Sequence, residues 1–421
     1  MSARRSPLPL VLGAFLLGLL VLAAVVWWQL RGVPAPTREV TATPALIARG
    51  EQLARAGNCM ACHTARGGEP WSGGHVVKTP FGDLVSSNLT PDPDTGLGGW
   101  SAGEFWRALH HGQSRDGRLL YPAFPYTHTT LLQRDDVDAL YAYLRTLAPV
   151  RREHEPHRLR FPYNTQAALA LWRAMYFEPG EYQPDTSRSA DWNQGAYLVR
   201  GVAHCAACHA ERSTLGGSGD SAAFGGSLMP SGDWWAPSLR DPAEAGVQDW
   251  SLDDVVALLR TGRGGGASTL GPMAEVVLHG TQHLPEADLR AMAVFLKDLP
   301  VQPVKRPAFE GAEPAVLARG GRLYDNHCAQ CHGEQGQGAQ GIYPPLAGHR
   351  AVTQVSPVNT VQAILSGGFG PATAGHPRPF GMPPYRSLLN DEEIAAVASY
   401  VRQSWGNKAG AVSALDVARV R

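Results

Sequence analysis

The sequence predicts an all-α chain of three tandem domains behind an N-terminal transmembrane helix, and three observations carry that prediction. A Cys-x-x-Cys-His pattern occurs three times, at Cys59 to His63, Cys205 to His209 and Cys328 to His332. Each copy follows a short helical segment and is closed, after a long loop, by a helix that opens on acidic residues. Ahead of all three stands an uncharged run from Ser6 to Leu30.

The uncharged run comes first in the chain. As a helix it would span about 37 Å against a hydrocarbon core of about 30 Å. Arg4 and Arg5 at its start belong on the cytoplasmic side and Trp27-Trp28 suit the opposite interface, so the rest of the chain lies outside the cytoplasm. The competing reading is a cleaved signal, but the run is long and no compact small-x-small site follows it. Residues 1–32 are therefore read as an uncleaved anchor.

The three units are assigned to 45–150, 191–300 and 315–408. Gly50, Gly195 and Gly320 each lie eight to ten residues before the first Cys of a motif, where the missing side chain lets another helix approach closely. The closing helices, Asp135 to Leu147, Ala287 to Leu299 and Glu392 to Trp405, have apolar positions at helical spacing. Their aligned aromatics Tyr143, Phe295 and Tyr400 are read as core packing against the first helices. The linker 151–190 contains an apolar helix, Thr165 to Phe177, expected to pack on a domain or partner because its basic residues form no continuous polar face for a membrane surface. A Pro-rich linker, 301–314, and a tail, 409–421, complete the division. Forty-seven Gly and 33 Pro fit short helices joined by long loops, and zero net charge argues against a nucleic-acid partner.

Cys-x-x-Cys-His fixes the chemistry. Two thiols on one helical turn can each add to a porphyrin vinyl group while the adjoining imidazole sits under the iron, which is c-type haem attachment. All six cysteines fall inside the motifs. A structural zinc site would need four ligands closing on one ion, and no thiol remains for a disulfide. Three covalently bound haem c groups are expected, on Cys59, Cys62 and His63, on Cys205, Cys208 and His209, and on Cys328, Cys331 and His332.

The sixth ligands decide what the irons do. Met382 is the only Met after His332. In the second unit Met273, in a Gly/Pro-shaped turn, is preferred to Met229 in a loop and to Met292 in the closing helix, where a core role is simplest. The first unit has no Met between His63 and the end of its closing helix; Phe124 stands at the corresponding place. Of His75, His110, His111 and His128, the nearest to that place is His128, which is expected as ligand in preference to an open iron. His110 and His111 are read as surface or capping residues, and His204 and His327 as pointing away from the haem. His154, His157, His279, His283, His349 and His376 fall in polar or loop contexts. The run Gly262 to Gly266 is no dinucleotide fingerprint and is read as a loop over the second haem. No Rossmann fingerprint, nucleophile elbow or unspent metal cluster is found, so no catalytic site of the chain's own is expected.

These features come with Asn88-Leu89-Thr90-Pro91-Asp92, Thr95-Gly96, Trp100, Tyr121-Pro122-Ala123, Gly195-Ala196-Tyr197-Leu198, Trp235-Ala236-Pro237, Gly271-Pro272-Met273-Ala274-Glu275, Tyr343-Pro344-Pro345-Leu346-Ala347 and Ser404-Trp405-Gly406-Asn407. From Ala45 onward the chain resembles the triheme cytochrome c subunits of membrane-bound dehydrogenases, which serve quinoprotein alcohol, flavin-dependent gluconate-type and molybdenum aldehyde or isoquinoline-type enzymes. The resemblance implies three class I cytochrome c domains at the cytoplasmic (inner) membrane, facing the periplasm. It also implies a relay from a dehydrogenase catalytic subunit to membrane ubiquinone or a terminal oxidase. In that family a Met ligates the first haem. Phe124 in its place resembles the molybdenum branch, so a molybdopterin aldehyde or N-heterocycle oxidoreductase is the first expectation for partner and a quinoprotein alcohol or flavin dehydrogenase the next. Two alternatives are a cytochrome subunit of a terminal oxidase and, if the first iron is five-coordinate, a peroxidase-like haem enzyme.

Overall fold

The computed structural model describes residues 8–218 and 223–421; Arg4, Arg5 and Ser6 lie outside them. The chain opens on α1 (Leu8–Leu30), an apolar helix without a buried residue. At 1.5 Å per residue it is about 34 Å long, enough to cross a bilayer core.

The first unit contains α2 (Pro44–Ala56), α3 (Cys59–Cys62), the hairpin β1 (Val76–Thr79) and β2 (Gly82–Val85), then α4 (Ala102–His111), α5 (Tyr126–Thr129) and α6 (Arg134–Leu144). The linker supplies β3 (Arg158–Leu159) and α7 (Gln166–Tyr176). The second unit runs α8 (Ala190–Tyr197), a π-helical turn (Leu198–Val202), α9 (Ala206–His209), β4 (Ser227–Leu228), β5 (Trp235–Ala236), α10 (Leu252–Thr261), β6 (Arg263–Gly264), β7 (Ala267–Ser268), α11 (Pro272–His279) and α12 (Glu286–Lys297). The third is α13 (Pro314–His327), α14 (Ala329–His332), α15 (Arg350–Thr353), α16 (Val358–Ser366), β8 (Gly368–Phe369), β9 (Gly381–Met382), α17 (Asp391–Gln403) and α18 (Ala414–Ala418).

The helices begin where local chemistry starts them. Thr43 caps α2 ahead of Pro44, and Ser101 with Glu104 and Asn390 with Glu393 form capping boxes on α4 and α17. Each unit is built on a crossing of its first and last long helices, α2 on α6, α8 on α12 and α13 on α17. The predicted glycines sit at these crossings. A Cβ on Gly50, Gly195 or Gly320 would run into the carbonyl of Ala139, Ala291 or Ala396. Tyr143, Phe295 and Tyr400 flank those contacts, and Tyr324–Tyr400 and Trp192–Phe295 ring pairs meet across them at 5.6 and 5.2 Å.

Four expectations need correction. The chain is helical but not purely so: β2 pairs antiparallel with both β1 and β3, and three two-residue ladders join β4 to β5, β6 to β7 and β8 to β9. Two of those ladders start at a left-handed Gly that ends a helix, Gly262 (φ 74°) and Gly367 (φ 59°), where the chain turns back on itself. The run Gly262 to Gly266 is therefore a tight hairpin, not a loose cover. The tail after 408 is no appendage either, since Val412 and Val417 are buried in the third core. Finally, the first two units share one continuous core, from Leu53, Phe105 and Leu140 through Tyr197 and Val199 to Phe295, whereas Tyr324, Val361, Leu365 and Ile394 make a separate third core.

A polar clasp ties the first two units together. Arg49 Nε and Nη2 donate to the two oxygens of Asp136, each at 2.9 Å, and Tyr197 Oη donates to Asp136 at 2.6 Å. Loss of Arg49 would leave the largely buried Asp136 carboxylate without its cation. The third unit docks on the second through Arg263 to the carbonyls of Gly341 and Ile342, Asn359 to the main chain of Trp235, and Arg350 to the Gly246 carbonyl.

Candidate haem sites

Each motif is placed at the end of a helix that the core holds rigidly. Asn58 and His204 occupy the same step ahead of Cys59 and Cys205, both left-handed (φ 48° and 38°), and turn the chain from the first helix into the Cys-x-x-Cys turn. His63 N, His209 N and His332 N then donate to the carbonyls of Cys59, Cys205 and Cys328, closing one helical turn from first Cys to His.

The three imidazoles are held alike. Nδ1 of His63 bonds the carbonyl of Ser87 at 2.7 Å, that of His209 the carbonyl of Pro237 at 2.7 Å, and that of His332 the carbonyl of Pro344 at 3.1 Å. A carbonyl acceptor fixes the Nδ1–H tautomer and leaves Nε2 as the free lone pair, the arrangement of a metal-bound histidine. Burial pushes all three rings below the usual imidazole range, so they are neutral and able to ligate. Burial likewise pushes the first thiol of each pair, Cys59, Cys205 and Cys328, up to about 12. Two unbridged sulfurs and an imidazole nitrogen on one turn fit a covalently held haem c at each motif.

A glycine that sequence reasoning missed completes each clamp. Gly73, Gly226 and Gly338 donate their N–H to the carbonyls of His63, His209 and His332 at 2.7–2.8 Å. All three are left-handed, and a Cβ on any of them would press into Ser87, the Pro237–Ser238 peptide or Pro344, the segments that accept from Nδ1. Their distances in sequence from the histidine differ, so only the fold aligns them.

The acceptor segments explain several residues that the sequence carries without obvious chemistry. Asn88 follows Ser87 and is buried; its Nδ2 donates to Thr95 Oγ1 and to the Val150 carbonyl, and its Oδ1 accepts from Thr90. Asp92 accepts from Thr95 N and Oγ1 and from Asp94 N, which holds its carboxyl below the usual carboxylate range. In the second unit Ser238 follows Pro237 and donates its N–H to buried Glu244. In the third, Asn407 bonds Gly348 N and the Leu346 carbonyl, pinning the loop that begins at Pro344.

The first two motifs adjoin. His204 Nε2 approaches the Gly57 carbonyl at 3.1 Å, a Cβ on Gly57 would crowd both Cys59 Sγ and the Val202 carbonyl, and the Cys62 and Cys208 thiols are near enough to raise Cys62 beyond the effect of burial. The π-helical turn supplies the extra residue that brings His204 to this seam.

The candidate sixth ligands lie as follows. Met382, on β9, packs on the third core together with Cys328 and Tyr385. Met273 stands at the start of α11, a helix that lies near α3, and Met292 is buried in the core that the first two units share. Met229 forms the turn between β4 and β5. His128 is buried at the seam of the first two units. It hydrogen-bonds the main chain of Arg200, has His204 and Arg212 beside it, and is pushed down to about 3 by burial first and those neighbours second. Its Nδ1 has no hydrogen-bond partner among the described residues. Its surroundings thus belong to the second motif's approach as much as to the first unit.

One further histidine corrects the sequence reading. His110 is not on the surface: it is buried, stacked on Trp106 at 4.4 Å beside the main chain of Thr130. His349 is buried at the junction of the second and third units, its Nε2 3.3 Å from Ser268 Oγ. His75 lies beside His63, on the proximal side of the first site.

A cytochrome c family profile matches residues 47–148 and 317–405, the first and third units. The alcohol dehydrogenase (quinone) cytochrome c subunit of Gluconobacter oxydans is 37% identical over 90% of this chain and 83% of its own length. The gluconate 2-dehydrogenase cytochrome c subunit of Pantoea cypripedii is 35% identical over 90% of each. A nicotinate dehydrogenase subunit of Pseudomonas putida is 39% identical over 93% of this chain, which spans a third of that longer protein. With the clamped motifs, this similarity over nearly the whole length shows that the chain belongs to the family of cytochrome c subunits of dehydrogenases.

Proposed function

We propose that the chain is a triheme electron-transfer subunit of three tandem cytochrome c domains, anchored in the cytoplasmic membrane by α1 and facing the periplasm. It carries electrons from a dehydrogenase catalytic subunit toward ubiquinone or a terminal oxidase. The observation that carries this reading is the shared seam: the first two motifs meet through Gly57, His204, Cys62 and Cys208, and the third unit docks on the second. That contiguity supports a path with the second unit in the middle.

Haem c, when bound, supplies reversible one-electron chemistry at iron. The chain's part is to attach it through the paired cysteines, to hold His63, His209 and His332 in one tautomer, and to keep water from the sites with the buried walls of the cores. Met382 and Met273 would complete the third and second irons. His128 would complete the first: one ring nitrogen is tied to main chain and Nδ1 is buried and unspent among the described residues, the reverse of the proximal histidines, whose Nδ1 is the tied nitrogen. His128→Ala should turn one haem of three high-spin in absorption and magnetic circular dichroism; an unchanged low-spin spectrum removes it as a ligand.

For the partner, Phe124 in place of Met and the 39% identity to a nicotinate dehydrogenase subunit favour an oxidoreductase of N-heterocycles or aldehydes carrying molybdopterin, with a quinoprotein alcohol or flavin dehydrogenase next. Purification of the full-length protein from its native membrane tests this. A co-purifying dehydrogenase whose substrate reduces the haems is the expected result; an oxidase in its place, or a chain that turns over peroxide alone, contradicts it.

A further inference from the structure

We propose that the outer face of α7, with the exposed aromatic loop before it, is a second membrane contact that lies in the interfacial layer beside α1 and seats the first unit on the bilayer. This rests on the reading of α1 as a retained membrane span.

The polarity of α7 is anomalous. A surface helix normally turns charged residues outward. In α7 the single charged residue, Arg173, is turned inward; it is 5% exposed and lies over the rings of Tyr126 and Phe177 at 5.2 and 4.6 Å. Buried Leu169 and Ala170 share that inner face. The outward positions are Ala167, Leu171, Ala174 and Met175, spaced as one helical stripe and all apolar; Met175 is 57% exposed. An interfacial helix ordinarily needs a polar face because that face meets water. Here the first unit takes water's place, so the polar face is not required, and the expectation drawn from its absence does not apply.

The position of α7 says what covers the stripe. Leu169 and Ala170 pack with Val26 of α1, four residues from the end of the span. α7 therefore lies at the depth where Trp27 and Trp28, 68% and 56% exposed, mark the interface. The loop before α7 adds Phe161, 81% exposed, and Tyr163, whose ring packs on Phe81 at 4.6 Å. Exposed Arg31 directly follows the span and lies over the Trp28 ring, and exposed Arg160 adjoins Phe161. The span is not free to swing away from this face: Val33 N donates to Gln113, Arg107 Nη1 to the Val33 carbonyl, and Arg38 pairs with Asp135 and Asp138.

Site-specific photocrosslinking tests the proposal. p-Benzoylphenylalanine is placed singly at Phe161, Met175, Leu16 in the span, or Leu388 on the third unit. The full-length holoprotein, with its co-purifying subunits, is irradiated in phosphatidylethanolamine/phosphatidylglycerol nanodiscs. The expected result is lipid adduct at Phe161 and Met175 comparable to Leu16 and about tenfold above Leu388. Adduct at Leu16 without adduct at Phe161 and Met175, or crosslinks from those two to another polypeptide, overturns the second contact while sparing the span. No lipid adduct at Leu16 overturns the span and the proposal with it.

Discussion

At the scale of single residues, main-chain carbonyls set the haem sites as much as the haem ligands themselves do. Cys-x-x-Cys-His is legible at sight because covalent attachment demands that spacing. Ser87, Pro237 and Pro344 are not, because a main-chain acceptor leaves no mark in residue type and each lies at a different distance from its histidine. Their trace in the sequence is indirect, in Asn88, Trp235-Ala236-Pro237 and Tyr343-Pro344. Asn88→Ala should therefore act on the haem without touching it. Removing the four hydrogen bonds of this buried side chain should cost about 1–3 kcal/mol and let the Ser87 carbonyl drift, shifting the potential of one haem and leaving the others, as read by potentiometry. Asp92 adds a pH dependence. Its carboxyl is held low first by the Thr95 N–H and next by the Thr95 hydroxyl, so the stability it gives is present above the ordinary carboxylate value of about 3.9 and is lost as pH falls through the lower folded value. Acid unfolding of Asp92→Asn should lack that contribution, seen as a shallower fall in melting temperature below about pH 4.

At the scale of elements, the crossing helices are readable because their constraint is steric and local. A glycine eight to ten residues before the motif and an aromatic in the closing helix are two sides of one contact, and both appear as letters. Gly320→Val should force α13 from α17 at Ala396 and Tyr400 and cost about 1–3 kcal/mol, with the third unit losing its haem environment first on heating. Melting of the Gly320→Val protein with the parent's midpoint would refute that packing. The small ladders are invisible in the sequence because two paired residues carry no period-two pattern to detect. The tail is hidden for a related reason: Val412 and Val417 are buried singly from a segment with no haem motif to mark its unit. For α7 the composition is plain but its orientation is not, since only the fold shows that Arg173 turns inward.

At the scale of the molecule, threefold repetition is visible in the sequence and the unequal relation among the repeats is not. The motifs suggest three equivalent beads; the fold joins two of them through one core and the Arg49–Asp136–Tyr197 clasp and docks the third by polar contacts. Long-range contacts of that kind depend on which faces meet, and no local pattern encodes them. His128 is the residue where the two scales cross, since its place in the first repeat singles it out and its surroundings lie at the seam with the second. With a second imidazole in place of methionine, the first haem should have the lowest potential of the three. The most direct test is a potentiometric titration of the full-length holoprotein, followed in the haem absorbance. Three one-electron steps per chain are expected, the lowest of which alone moves in His128→Ala. Two steps or fewer, or a His128→Ala titration that superimposes on the parent, would contradict the triheme relay with a bis-histidine first haem.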